Sequence, residues 1–168
     1  MTRRSNISGI DRWWGCLPYL LPLIEIAGAI TLVVMLVPAL APLKLFLALI
    51  APIIQIYSTF IGLIPLGLGS FAIFVLMYLA VVQNEQINYS IRFNTLQAML
   101  FSIVLSLWNM LTKILITNLG MGELGILFSL LMPVAILGVC IYSIGATALG
   151  KYPDIPKLSE NVYMMLPR

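Results

Sequence analysis

Few side chains in this sequence could do chemistry, and those that could are set inside apolar runs. Glu25 lies in "LPYLLPLIEI", three residues after Pro22. It sits about eight residues past Leu17, or ~12 Å along a helix rising ~1.5 Å per residue. A carboxylate at that depth in a bilayer costs ~2.5 to 3.5 kcal/mol on insertion scales unless it is protonated, paired or wet. It therefore marks a site facing the bundle interior or a water-filled cavity. The alternative is a protonated carboxyl bonded to backbone carbonyls that a bend at Pro22 exposes.

A second set is spread along residues 93–113. At 100° per helical residue, with Thr95 as zero, Ser102 falls at about −20°, Ser106 about +20°, Asn109 about −40° and Lys113 about 0°. One polar stripe results, and it should face protein or water, because lipid offers it no hydrogen bonds. It serves either helix packing or the lining of a hydrated path. Asn94 and Gln97 fall on other faces, near the entry of the segment, where headgroups, loops or the first turn of another helix can meet them. Arg92 anchors that entry at the membrane surface.

Other chemistry is excluded by what the chain lacks. It has no histidine, which removes Ser-His-Asp and Cys-His catalysis and any His-ligated metal. No nucleophile stands beside a base, so an enzyme is not expected, and neither a metal nor a cofactor is expected. Cys16 and Cys140 read as small buried hydrophobes; a disulfide would need both at one membrane depth. The net charge of +3 comes from nine Lys and Arg scattered through tails and loops, so it is no nucleic-acid footprint.

The elements that position these groups must be membrane helices. The 168 residues are 61% hydrophobic and 9% charged, with mean hydropathy +1.07, far from the ~25% charged of soluble domains. Crossing a ~30 Å hydrocarbon core takes ~20 helical residues, and no strand alternation is present. The class is all-α, a single polytopic domain over 1–168, with no internal repeat. Spans are expected at about 17–37, 67–82, 93–112 and 124–149. Residues 41–64 are apolar enough to cross, but Lys44, Pro52, Gln55, Ser58 and Thr59 interrupt them, and an interfacial helix at about 43–60 is expected instead.

Charge bias decides that choice, since cytoplasmic-side loops collect Lys and Arg. Four crossings put seven basic residues (Arg3, Arg4, Arg12, Arg92, Lys151, Lys157, Arg168) on one side, against Lys44 and Lys113 on the other. Five crossings leave no bias. Both termini are thus expected on the cytoplasmic or equivalent side. Trp13, Trp14 and Tyr19 mark the first interface as amphipathic rings do, with Tyr78, Tyr89 and Trp108 as further candidates. A cleaved signal peptide is disfavoured by the prolines and Glu25. The fourth span offers a small face, Ala135, Gly138 and Gly145, for packing. The tail after Gly150 carries two prolines three apart, which favour an extended segment. Pro153, Asp154, Pro156 and Glu160 then form either an exit into water or a docking strip.

Three stretches together resemble a known family: "LPYLLPL" at 17–23, "RFNTLQAML" at 92–100 and "LGKYPDIPKLSENVYM" at 149–164. They are similar to the corresponding pieces of the Tic-twenty family, a small membrane subunit of the translocon at the inner envelope of chloroplasts, with relatives in cyanobacteria and algal plastid genomes. The resemblance implies a four-helix protein with its termini on the stromal or cytoplasmic side. It also implies a role in moving preproteins, as part of a conducting path; four helices of one 18.6 kDa chain cannot enclose such an opening, so further copies or other translocon subunits must complete it. Two other readings compete with it. One is a small-solute or proton-coupled transporter using Glu25, a design usually marked by repeats; the other is an assembly scaffold in which the stripe is packing alone.

Overall fold

The computed structural model describes residues 9–36, 42–65, 68–118, 120, 122–155 and 158–166, and every regular element among them is helical. The first passage is α1 (Gly9–Cys16), a single 3-10 turn at Leu17–Tyr19 and α2 (Leu20–Leu36). Next come α3 (Lys44–Gly62) and α4 (Gly69–Met77), which closes in a π-turn at Tyr78–Val82. Two long helices, α5 (Tyr89–Asn118) and α6 (Gly122–Ala148), and a short α7 (Leu158–Met165) complete the chain.

Among the described residues, four helical stretches are long and apolar enough to cross a membrane: Gly9–Met35, Lys44–Gly62, Tyr89–Ile116 and Leu124–Ala148. Three coincide with expected spans. The remaining one is the segment expected to lie in the interface, whereas Gly69–Val82, expected to cross, is a shorter apolar helix. Its nine α-helical residues and five-residue π-turn reach about 21 Å, less than the ~30 Å of hydrocarbon. The sequence argument weighed the polar interruptions of 41–64 against crossing. In the structure two of them are satisfied within their own helix: Ser58 and Thr59 donate to the Gln55 carbonyl at 2.9 and 2.8 Å.

One end of the bundle is heavily tied. Asn88 caps α5 by accepting from the Ser90 amide at 3.1 Å, as an N-cap asparagine does, and its amide donates to Asp11 of α1 at 2.9 Å. The C-terminus of α6 closes with the Gly150 amide on the Thr147 carbonyl and the Lys151 amide on the Ala146 carbonyl, both 2.9 Å. Gly150 sits at φ +73° with the Arg12 guanidinium over it, the left-handed glycine stop that ends many helices. Val82, where the π-turn ends, accepts from Arg92 Nε at 2.8 Å.

The starts of α1 and α5 and the ends of α4, α6 and α7 therefore gather at this end, with Arg12, Arg92 and Lys151. From where α2 stops to Val82, α3 and α4 together make one net traverse of the bundle. Both described ends of the chain thus lie at the same end. Arg3, Arg4, Lys157 and Arg168, also counted in the charge argument, lie outside the described residues.

The interior is built where the first passage, α5 and α6 meet. Tyr19, Ile26, Ile30, Ala98, Phe101, Leu105, Ile136 and Cys140 form its apolar part. By contrast α3 has only Ile50 buried and touches α2 and α4, with Leu43, Phe46 and Leu47 against the core. Between α2, α3 and α4 runs an apolar groove of about 260 Å³ lined by Leu21, Ile24, Ile56, Phe60 and Met77 among others. The phenol of Tyr57 is the one polar side-chain group in its lining.

The tail differs from its expected extended form. Residues 151–155 are irregular, as the prolines require, but α7 follows and docks on the bundle. Its Val162 and Leu166 bury against Val82, Phe93, Leu96 and Met99. Tyr163 packs on Phe93 at 4.8 Å between ring centroids, and Tyr152 meets Phe93 edge-on at 5.7 Å. Burial there pushes the Tyr163 phenol above its ordinary pKa. Of the expected docking residues, Pro153 is buried, whereas Asp154 and Glu160 face outward; Pro156 lies outside the described residues. The docking is apolar, and Ser159 shapes it by accepting from the Ile155 amide at 2.8 Å and donating to the Pro153 carbonyl at 3.2 Å.

Candidate functional site

Polar side chains enter the bundle in two groups, one sealed and one at its surface. The sealed group stands where the 3-10 turn breaks the first passage. Pro18 fixes that turn and turns Tyr19 inward, where it is fully buried. Its hydroxyl lies 3.3 Å from Asn94 Oδ1 and 3.3 Å from Gln97 Oε1 of α5. A phenol has one hydrogen to donate, so it satisfies one carbonyl at a time. Turning either amide over lets its nitrogen donate to the phenolic oxygen and completes the chain.

Ser143 of α6 faces the same hydroxyl without a strict hydrogen bond. Asn94, Thr95, Gln97 and Ser143 are all at 0% exposure, so this cluster is closed to lipid and to bulk water. Gly15 lets α1 approach it: a Cβ there would fall 2.9 Å from Asn94 Nδ2 and 2.9 Å from a Thr147 methyl.

Interhelical hydrogen bonds in membranes are worth ~0.6 kcal/mol on average and ~1.7 at most. Tyr19→Phe should therefore lower stability by about 1 kcal/mol, toward the upper part of that range because two amides lose a shared partner. Thermal unfolding in detergent micelles reads this directly. A further change of Asn94 and Gln97 to Leu should return much of the loss; no loss in Tyr19→Phe would show that the hydroxyl makes no useful bond.

The surface group lies farther along α5. Ser106 donates to Glu25 Oε2 at 3.2 Å, and the Ser102 hydroxyl faces the same carboxyl without a strict bond to it. Glu25 and Asn109 are half-buried, and Ser106 and Lys113 are exposed. The carboxyl is thus answered by a hydroxyl of α5 and not by carbonyls freed at Pro22.

The expected stripe is divided by this arrangement. Thr95 and Ser102 are buried at 0% and 2% exposure, with Thr95 Oγ1 turned back to its own helix on the Ile91 carbonyl at 2.8 Å. Only the half from Ser106 onward reaches the surface. Asn94 and Gln97 meet the start of a neighbouring helix, one of the expected alternatives, and both are fully buried there.

Arg92 is not an open anchor at headgroup level. At 4% exposure it closes the end of α4 through Val82, where a cation also answers the negative end of the helix dipole. The small face of α6 does not pack within the chain either, since Ala135, Gly138 and Gly145 are exposed and a Cβ on either glycine would meet nothing within 4 Å. The packed face of α6 is Ser129, Pro133, Ile136, Cys140, Ser143 and Thr147.

Trp108 belongs to that contact and not to an interface belt. Its Nε1 donates to the Ser129 carbonyl at 3.1 Å and its ring lies 4.8 Å from Phe128. Trp13 and Trp14 are exposed at the tied end, where an aromatic belt would place them, while Tyr19 is interior. Both cysteines are free, Cys140 buried and Cys16 half-buried.

The family described as "Chloroplast import apparatus Tic20-like" matches residues 4–162. A protein named Tic20 family protein from Synechocystis is 32% identical over 166 residues, 97% of this chain and 97% of that protein. The pea protein TIC 20, chloroplastic, is 25% identical over 93% of this chain and 60% of its own length. The Arabidopsis protein TIC 20-I, chloroplastic, is 27% identical over 92% of this chain and 55% of its own length.

Proposed function

Because the chain belongs to the Tic20 family, we propose that it is a non-catalytic membrane subunit of a protein translocon, associated with other translocon subunits and with preproteins. The observation that carries this reading is the family match from residue 4 to residue 162, which takes in the buried polar cluster and reaches into the first part of α7. The membrane is the cyanobacterial plasma membrane or the plastid inner envelope. The tied end, with Arg12, Arg92 and Lys151, faces the cytoplasm or stroma, as the excess of basic residues there favours.

In this reading Gly9–Met35, α5 and α6 cross the bilayer, and α3 with α4 supplies the fourth passage. The bundle is closed around Tyr19, Asn94 and Gln97, so one chain encloses no opening for an extended polypeptide. Its contribution to a conducting path is one wall, formed by Glu25, Ser106, Asn109 and Lys113. The sealed cluster packs helices, as the scaffold reading holds for the whole stripe.

Gentle purification from the native membrane tests the class: translocon subunits or preproteins should travel with the chain. A chain that travels alone and catalyses a proton-dependent flux abolished by Glu25→Gln would overturn the proposal in favour of a transporter, the reading that a half-buried carboxyl inside the first passage otherwise supports.

A further inference from the structure

A second recess, smaller than the apolar groove, opens at the tied end between α1 and the close of α6. It measures about 180 Å³ and is lined by Gly9, Arg12, Trp13, Cys16 and Ala148. Cys16 holds the two helices side by side, its thiol donating to the Ile144 carbonyl at 3.7 Å. Arg12 is half-buried, and its guanidinium lies across Gly150, where a Cβ would fall 3.0 Å from Cζ. The neighbouring acids are turned elsewhere. Asp11 accepts from Asn88 at the start of α5, and Asp154 stands toward Tyr163 of α7. Lys151, exposed, follows Gly150, so the recess is positive. Its rim is apolar, with Ile10, Trp13 and Leu149 all at least 70% exposed.

A basic floor under an apolar rim, at the start of a helical stretch able to cross the membrane, has the two-part chemistry of a charged lipid. We infer that this recess binds the headgroup of an anionic phospholipid. The planar guanidinium matches two oxygens of a phosphate, which a single ammonium cannot do. Trp13 and Leu149 then lie along the glycerol and the first methylenes of the tails. Basic pockets between membrane helices hold headgroups in this way. The space is several times the ~30 Å³ share of one water, enough for a phosphate, whereas a partner helix is ~10 to 12 Å across. The inference rests on the membrane placement of the tied end and not on the translocon reading, so either can fail while the other stands.

The test uses the full chain in detergent micelles, titrated with phosphatidylglycerol or with zwitterionic phosphatidylcholine and weighed intact by native mass spectrometry. One phosphatidylglycerol should stay bound, several-fold above phosphatidylcholine, and soluble glycerol phosphate at equal concentration should not displace it. Arg12→Gln should reduce that preference several-fold, whereas Lys44→Gln, at the start of α3, should keep it. Ala148→Leu fills the recess without removing the charge and should act as Arg12→Gln does, so the test still decides where Arg12→Gln fails to fold. Equal retention of the two lipids would overturn the inference, as would an unchanged preference in Ala148→Leu or the same loss in Lys44→Gln. Displacement by glycerol phosphate would make the occupant a free anion and also overturn it. In the native membrane a photoreactive side chain at Trp13 should give lipid adducts; an adduct to a protein would instead assign the recess to an acidic partner.

Discussion

Gly69→Ala should loosen the α3–α4 hairpin and lower stability by ~1 to 3 kcal/mol, the cost of overpacking a tight contact. A Cβ on Gly69 would lie 2.5 Å from Ile61 Cα and 2.7 Å from its carbonyl carbon. Both are backbone atoms, so no side chain can turn aside and the helices themselves must separate. The contact holds α4 against a helix that is otherwise little buried, so the loss should appear first as hydrogen exchange along Lys44–Gly62, then as a lower unfolding temperature in micelles. Gly138→Ala is the control, because a Cβ there meets nothing within 4 Å; it should be neutral or slightly stabilising, as alanine favours helix over glycine. Equal behaviour of the two variants would contradict the close approach.

Arg92→Leu should be the more damaging change. The guanidinium is 4% exposed and donates to the carbonyl that ends the π-turn. Hydrogen bonds to charged groups contribute ~1.5 to 3 kcal/mol, and here the loss also leaves a buried helix terminus without its donor. Val82 is part of the seat of Val162 and Leu166, so α7 should loosen with it. Limited proteolysis should then cut within residues 149–166 faster than in the native chain. Arg92→Lys keeps a charge and N–H donors on a single nitrogen and should recover part of the loss, though it cannot offer the planar fork of arginine. A tail equally resistant in Arg92→Leu would show that Arg92 does not hold this end together.

Helix content was legible from hydrophobicity, because only helices satisfy their own backbone in lipid. The two described ends of the chain lie together at one end of the bundle. Facing was harder to read. Angles placed Thr95, Ser102, Ser106, Asn109 and Lys113 on one shoulder, yet they could not show that the first passage covers only part of it.

Lipid is as apolar as the core, so Phe101 and Leu105, which face inward, look no different in sequence from Leu107 and Met110, which face out. The same ambiguity hid Asn94 and Gln97. With Thr95 as zero, Asn94 lies at about −100°, between Leu105 and Phe101, and Gln97 at about −160°, just beyond Phe101, a spacing that could have pointed to the core rather than the surface. It also made the small residues of α6 resemble a packing face.

The tail was misread for another reason. Its prolines describe residues 151–155 correctly, but Leu158, Val162 and Leu166 recur every four residues, the helical signal that α7 answers. Length separates 44–62 from 69–82: Lys44–Gly62, with 19 residues, is long and apolar enough to cross, with Ser58 and Thr59 bonded within it, whereas Gly69–Val82 is shorter.

A photoreactive side chain placed at Asn109, and separately at Gln97, in the full chain with a preprotein arrested in its native membrane probes the proposed wall most directly. Adducts to the preprotein should form from Asn109, at the surface shoulder, and not from Gln97, sealed behind Tyr19. Adducts from Gln97 would contradict a closed bundle, and no adduct from Asn109 would contradict a path along this face.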